Sequence, residues 1–387
     1  MKKFQTMGEL ISYMVGANAP NELKTEAEKQ MQAVEETNQG GATAYLIIAE
    51  SKVEAKQVEK EYALSNCAPE YSRIINTLDG AYWKQSVFVF TDDGGESWDN
   101  GNMWRKGKLI MPEDGRAVYQ TETCVLNGKL TAFLTLHNGW FLDWDCRMFH
   151  SEDNGLTWYD GGKLPWFDGF VFMRGAVELK NGHIILPYQH YNVTKEENEA
   201  LKIATDKKKW LLSSNVKDVE TGVILSVDGG KTFEKLPPMK TEMTVNGKRT
   251  WIWSEPTVVE LSDGRLAMIM RRDGSGRLYI SYSSDEGKNW TEPRETDIPN
   301  PSNKPKLLRH SDGRIFLLNT PNEKFWHRYP LEVWVSFDDM KSWTRHETVM
   351  GDTGYYSYAD GFIDEAEKKI LLAFENWHDI FYAEIEI

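Results

Sequence analysis

The sequence predicts an all-β protein: a six-bladed β-propeller carrying Asp-boxes, preceded by a short helical N-terminal extension. Two repeats and their phasing predict it. The first is an eight-residue frame with Ser or Thr, Asp, Gly, and a small polar residue at alternating positions, and an aromatic residue last. It occurs at 91–98, 151–158, 226–233, 283–290 and 336–343. The second is an Asn-Gly or Asp-Gly turn followed by an apolar strand, at Asp79-Gly80, Asn127-Gly128, Asn181-Gly182, Asp263-Gly264 and Asp312-Gly313. One box follows each such hairpin, giving five full units. A sixth unit has a weaker turn at Asp364-Glu365, before Ile370–Phe374, and no box. A ring of six small antiparallel sheets explains a box that recurs in phase with a hairpin; a sandwich does not.

Each box reads as a hairpin tip. Most copies follow alternating apolar runs such as Val87–Phe90 or Leu278–Tyr282. The Asp side chain can accept bonds from turn N–H groups, and Gly supplies a positive φ. The final aromatic can fold back to plug the gap beside the next sheet. The fifth copy has Met340 in place of Gly, so its turn must either differ or be strained.

Residues 1–65 read as a separate extension and 66–387 as the ring. Segment 22–36 is rich in helix formers, with Asn21 placed to cap it. Residues 44–49 read as a buried strand and 52–63 as a second charged helix. The last unit, 354–387, has room for about three strands against the usual four. Strand 44–49 could supply the fourth and close the ring. Residues 193–218 form a charged insertion, expected to be a solvated loop or helix.

Composition narrows the partners. The 387 residues carry a net charge of −14, which argues against a nucleic-acid backbone or an anionic membrane. Fifteen Trp suit repeated packing residues and sugar-stacking surfaces. Cys67, Cys124 and Cys146 are odd in number and match no zinc motif, which points to a reducing compartment. The basic start is followed by an apolar stretch broken at Gly8, Glu9, Ser12 and Tyr13, a poor signal peptide. No run of about 18 apolar residues exists. Cytoplasmic residence is therefore expected. No cofactor or metal is demanded, since the eight His show no close pair.

Five boxes in register make the chain resemble the sialidase superfamily, over roughly residues 70–387. Segment 253–290 carries the nearest match: Trp253-Ser254-Glu255-Pro256, then Ser262-Asp263-Gly264-Arg265, then Met270-Arg271-Arg272, then a box. The resemblance implies an exo-glycosidase acting on an acidic sugar. It places a catalytic carboxylate at Glu255 and a substrate-binding arginine at Arg271, with alternation turning Arg272 away. Arg328, in His327-Arg328-Tyr329-Pro330, takes the position of a second arginine. Arg73, in Ser72-Arg73-Ile74-Ile75, takes the third, with Ile75 where the family has Pro. Three guanidinium forks can grip one carboxylate. Gly354-Tyr355-Tyr356-Ser357 resembles the nucleophile stretch, with Tyr356 as the nucleophile. A neutral nucleophile avoids repulsion by a carboxylate at the anomeric carbon, and Glu255 could take its proton.

One part of the family pattern fails. The interval from Arg73 to Thr91 holds only Asp79, in a turn, with no room for the usual acid/base loop. The long aromatic and acidic segment 137–145 offers Asp143 or Asp145 as the acid, with His137 as a third candidate and Trp140 on a sugar-binding rim. Two other readings stay open. One is a hydrolase or lyase of different specificity using Asp143, Asp145, His137 or Glu122. The other is a non-catalytic carbohydrate-binding propeller.

Overall fold

A computed structural model describes residues 71–387, except segments 91–103, 107–116, 127–128, 138–144, 153–157 and 193–217 and a few isolated positions. The predicted N-terminal helices, strand 44–49, the first box, the core of the second box and nearly all of the charged insertion lie outside the described residues. The fold is all-β, with no helix among the described residues.

The sheets follow one another along the chain and are antiparallel throughout. The first joins Ile74–Asp79, Tyr82–Phe90 and Trp104–Lys106. The second joins Ala117–Leu126, Lys129–His137, Asp145–Ser151 and the first part of Tyr159–Met173, with Tyr71–Ser72 on its edge. The last five residues of Tyr159–Met173 pair instead with Ile184–Asn192, which pairs with Asp218–Ser226 and so with Glu234–Lys235. One long strand thus leaves the outer edge of the second sheet and becomes the first strand of the third. A short hairpin, Thr244–Val245 with Lys248–Arg249, precedes the fourth sheet. The fourth holds Thr257–Glu260, Leu266–Arg271, Arg277–Ser283 and Arg294–Pro299. The fifth holds Lys306–Arg309, Ile315–Asn319, Leu331–Ser336 and Thr344–Met350. The sixth has the three strands expected of it, Tyr356–Asp364, Lys369–Asn376 and Asp379–Glu386.

The apolar runs of the central strands are explained by burial on both faces. Ile184 and Leu186 enter a core shared with Phe133, Cys146 and Met148 of the second sheet. Their neighbour Ile185 faces the other way, into a core with Leu266, Met268 and Met270 of the fourth. Ala267 and Ile269 then face Leu307, Ile315 and Leu317 of the fifth. Successive side chains of a strand point to opposite faces, so the third and fourth sheets are each a filling between two cores. Each fully buried Leu, Ile or Phe contributes roughly 1.5–3 kcal/mol.

The boxes lock those cores at their edges. Ser226 Oγ accepts the Gly230 N–H at 2.8 Å and donates to Asp228 at 2.8 Å. Asp228 in turn accepts Thr232 N–H and Oγ–H at 2.9 and 2.6 Å. The same net recurs at Ser283, Asp285, Gly287 and Asn289, and at Ser336, Asp338, Met340 and Ser342. Those bonds favour the ionised carboxyl, and hold Asp228 and Asp338 down to about 2. The closing aromatics pack on the preceding sheet rather than the following one: Phe233 meets Phe133 edge-on at 5.8 Å. Met340 keeps the same turn with a left-handed φ of 67°, so its turn is strained and not different. Its side chain is buried in the core between the fourth and fifth sheets.

Two glycines separate backbone strain from packing. Gly264 and Gly287 both have positive φ, 85° and 91°. A Cβ on Gly264 meets nothing within 4 Å, whereas one on Gly287 lies 2.5 Å from Val223 Cγ2. Gly264→Ala is expected to cost only the left-handed strain, about 1–2 kcal/mol. Gly287→Ala adds overpacking of about 1–3 kcal/mol. Urea unfolding midpoints of the two variants check the order; equal losses would contradict it.

Candidate active site

Strand ends and connections of the fourth and fifth sheets bring charged side chains to one place. Glu255 lies just before Thr257–Glu260, with a left-handed φ of 40°. Its N–H donates to Gln189 Oε1 at 2.8 Å, and Ser254 Oγ bonds Thr221 Oγ1 at 2.6 Å. These bonds tie the turn to the third sheet and aim the carboxylate inward, at 1% exposure. Arg271 ends the second strand of the fourth sheet. Its N–H donates to Ser254 O at 3.0 Å, which sets it opposite Glu255. Arg271 Nε stands 3.0 Å from Glu255 Oε2 and donates to Trp253 O at 2.7 Å.

A second arginine arrives from the fifth sheet. Arg328 Nη2 donates to Ser302 O at 3.0 Å, and Arg271 Nη1 donates to the same oxygen. Two guanidinium groups from separate sheets thus share one carbonyl. The Ser302 turn is pinned by buried amides. Asn300 accepts the Asn303 N–H at 2.8 Å, and Asn303 bonds Thr320 Oγ1 at 3.0 Å and Tyr356 O at 2.8 Å. Ser302, Trp326 and Tyr358 join Glu255 in the left-handed region, at φ of 64°, 65° and 50°. Strained backbone gathered in one spot marks a place where geometry is held against local preference.

The phenols divide. Arg328 lies 5.0 Å from the ring centres of both Tyr355 and Trp326, and 6.0 Å from that of Tyr358. Trp326 stacks on Tyr355 at 5.9 Å and is half-exposed, as is Phe325 beside it. Burial pushes the Tyr355 hydroxyl up to about 12, with the Arg328 cation pulling against it. Tyr356 is placed differently. Its hydroxyl donates to Thr353 O, its ring packs edge-on to Phe374 at 6.0 Å, and burial alone pushes it up to about 12. Tyr355, not Tyr356, faces the arginines and Glu255.

Other sequence candidates are placed as follows. Arg272 faces away, stacked on Trp251 and Tyr279 and bonded to the Tyr279 hydroxyl at 2.9 Å. Asp145 is held by Arg147 at 3.1 Å and Lys163 at 3.5 Å, an ion-pair group between strands. His137 ends the strand Lys129–His137. Asp79 closes the first hairpin opposite Tyr82. Arg73, Trp140 and Asp143 lie outside the described residues. No group of three or more His, Cys, Asp or Glu suited to a metal occurs among the described residues.

Sequence reasoning missed a second charged layer and assigned Glu122 no position. Lys304 and Lys306 bracket Asp360 at 2.7 and 2.8 Å, all three buried. Glu122, also buried, accepts the N–H of Gly175. Arg174, next to Gly175, stands 3.5 Å from Glu255 Oε1. The signal available was a charge inside the first strand of a unit, where only apolar residues were sought. Burial, and then Asp360, push the Glu122 carboxyl up from near 4.5 to about 7, with Lys306 and Lys304 pulling back.

Serial sheets that gather two guanidinium groups, a carboxylate and a phenol define a repeat-built β protein with a buried charged centre. Residues 86–368 match the BNR repeat-like domain, and the chain belongs to that family, within the sialidase superfamily. A sialidase of Paraclostridium sordellii is 25% identical over 230 residues, covering 51% of this chain and 47% of its own length. The chain thus spans about half of that relative. Trypanosoma rangeli sialidase in complex with 2,3-difluorosialic acid, described as a covalent intermediate, shares the fold with a TM-score of 0.55 at 16% identity, covering 90% of this chain and 54% of that one. A Dyadobacter fermentans protein of unknown function has a TM-score of 0.51 at 16% identity, covering 90% of this chain and 95% of that one.

The raised Glu122 carboxyl makes stability depend on pH. Between about 4.5 and about 7 the folded chain keeps a proton that the unfolded chain has released. The contribution is therefore full below about 4.5 and is lost as pH rises through about 7. Glu122→Gln should flatten the fall in thermal midpoint across that window. An unchanged pH profile of the midpoint would show that Glu122 does not hold the proton.

Proposed function

We propose that the chain is a sialidase-type exo-glycoside hydrolase acting on an acidic, sialic-acid-like sugar, and that its sheets form a six-bladed propeller. One observation carries the activity: Arg271 and Arg328, from different sheets, point their guanidinium groups at one carbonyl oxygen beside Glu255 and Tyr355. A substrate carboxylate is a stronger acceptor than that carbonyl and fits the same forks. The ring is supported by Glu122, Asp360 and Lys306, whose charges interact although they belong to the second, sixth and fifth sheets. Phe362 of the sixth sheet also packs on the core of the second and third. Sheets stacked in series bring their last member back to an early one only by curving round.

In this reading Arg271 and Arg328 hold the sugar carboxylate, with Arg73 as the third arginine that the family resemblance supplies. Tyr355, which faces the arginines, takes the nucleophile's role in place of its neighbour Tyr356. Its oxygen bonds to the anomeric carbon as the bond to the leaving oxygen breaks, and its proton passes to Glu255. The leaving oxygen takes a proton from an acid on the 137–145 segment. Water, giving a proton to the carboxylate that the acid has become, then cleaves the tyrosyl–sugar bond, and Glu255 returns its proton to the departing Tyr355 oxygen. Half-exposed Trp326 and Phe325 offer an apolar face to a sugar ring at the edge of the site.

Aryl glycosides test this directly. The wild type should release the aryl group from a sialic acid glycoside and not from neutral sugars. Tyr355→Phe should lower kcat by about 100-fold or more, Tyr356→Phe should leave most of it, and Arg271→Lys should raise KM by about 10-fold or more. Turnover of a neutral sugar alone, indifferent to Tyr355→Phe, would overturn the reading.

A further inference from the structure

We infer that Arg174, in the break between the two stretches of the third sheet that pair with Ile184–Asn192, is a positioning residue that fixes the Glu255 carboxylate at the oxygen that Arg271 does not approach. The inference rests on the reading of Glu255 as the proton acceptor. A cation stands beside each oxygen of Glu255: Arg271 Nε is 3.0 Å from Oε2 and Arg174 Nη2 is 3.5 Å from Oε1. A carboxylate with a left-handed backbone and one cation could still rotate about its side-chain bonds. A second cation on the other oxygen removes that freedom.

Arg174 is itself built into place. Its N–H donates to Pro187 O at 2.8 Å, and its guanidinium lies 4.5 Å over the Phe172 ring. Its neighbour Gly175 donates to Glu122 and has a φ of 36°. A Cβ at Gly175 would lie 2.9 Å from Lys306 Nζ, so the turn sits directly against the second charged layer and a side chain there would displace that ammonium. The guanidinium is 10% exposed and its Nε–H, buried, has no hydrogen-bond partner among the described residues. A buried donor left bare is costly. The position of Arg174 therefore does not follow from satisfying its own hydrogen bonds; it follows from the contact with Glu255 and the Phe172 stack.

Other ionisable groups near Glu255 are Tyr355, from the start of the sixth sheet, and Tyr191, from the third. Asp273, beyond Arg271, adds a second negative charge to that neighbourhood. Arg174 and Arg271 are the cations set against these. Removing a cation from beside a carboxylate makes it harder to ionise. Loss of Arg174 therefore moves the acid limb of kcat/KM to higher pH, whereas loss of a fold-supporting contact lowers activity at every pH alike.

The test uses Arg174→Met and Arg174→Lys in the full chain, with the aryl sialic acid glycoside as probe. Arg174→Met should lower kcat about 10-fold or more, leave KM within about 3-fold, and move the acid limb upward by about one pH unit. Arg174→Lys, which keeps the charge but lacks the fork, should restore the limb and only part of kcat. A KM rise with kcat unchanged would make Arg174 a substrate-gripping arginine and overturn the inference. An acid limb that coincides with that of the wild type would also overturn it. A second measurement does not need activity. The carboxyl stretch of Glu255, isolated by subtracting the infrared spectrum of Glu255→Gln, should titrate at higher pH in Arg174→Met than in the wild type. If the wild type hydrolyses no acidic glycoside, the functional reading fails, and this titration still decides the role of Arg174.

Discussion

The structure depends on keeping ionised groups buried where the first and second strands of its sheets end. Glu255 at 1% exposure and Arg271 at 4% would each cost several kcal/mol if left alone in a dry interior. They are tolerable only together, with the Trp253 carbonyl accepting the Arg271 Nε–H and the Ser302 carbonyl accepting an Nη1–H. That requirement reaches far from the pair. It fixes the turn at Ser302, and the buried Asn300 and Asn303 hold that turn. It also holds Glu255, Ser302, Trp326 and Tyr358 in backbone conformations they would not choose. Removing one partner leaves the other as an uncompensated charge, so the cluster forms as a whole or not at all.

Such a cluster needs a rigid frame, and the stacked sheets provide it. Every central strand of the third and fourth sheets feeds alternate residues to two cores, so no sheet can slide without disturbing both neighbours. The boxes act at the outer ends of the same strands. Their Ser-Asp-Thr nets cost little to form, because each bond closes a loop of only a few residues. They set where Gly230, Gly287 and Met340 press on the preceding sheet. Met340 shows the trade directly. The chain accepts a left-handed Met because its side chain fills space in the core that a glycine would leave empty.

The frame was legible in the sequence because its signals are local. A Ser-x-Asp-x-Gly-x-Thr turn or an Asp-Gly hairpin is determined by residues within eight positions of one another. The boxes, the hairpins and the three strands of the last sheet could therefore be read directly. Glu255, Arg271 and Arg328 were found through the family resemblance, and the turning away of Arg272 followed from strand alternation. The choice between Tyr355 and Tyr356 was not legible. Adjacent residues point to opposite sides, and only the register against Asn376 and Arg328 settles which side faces the arginines. Arg174, Lys304, Lys306 and Asp360 were missed for a different reason. A charge in a linear sequence reads as solvated, and only convergence of several sheets turns it into a buried one.

That convergence also reconciles the charge of the chain with its proposed ligand. A net charge of −14 repels an anion at long range. At the centre, however, Arg174, Arg271 and Arg328 stand against Glu255 and Asp273, and Lys304 and Lys306 stand against Asp360. With Glu122 holding a proton, the two layers carry five cations and three anions, a local excess of positive charge inside a negative shell. Charges within a buried site interact through a lower effective dielectric than those on the surface. The near field of the layers therefore outweighs the distant surface carboxylates once a ligand is seated. Neutralising Glu122 adds to this excess and ionising it subtracts from it. The protonation of one buried carboxyl of the second sheet therefore helps set the charge of the centre.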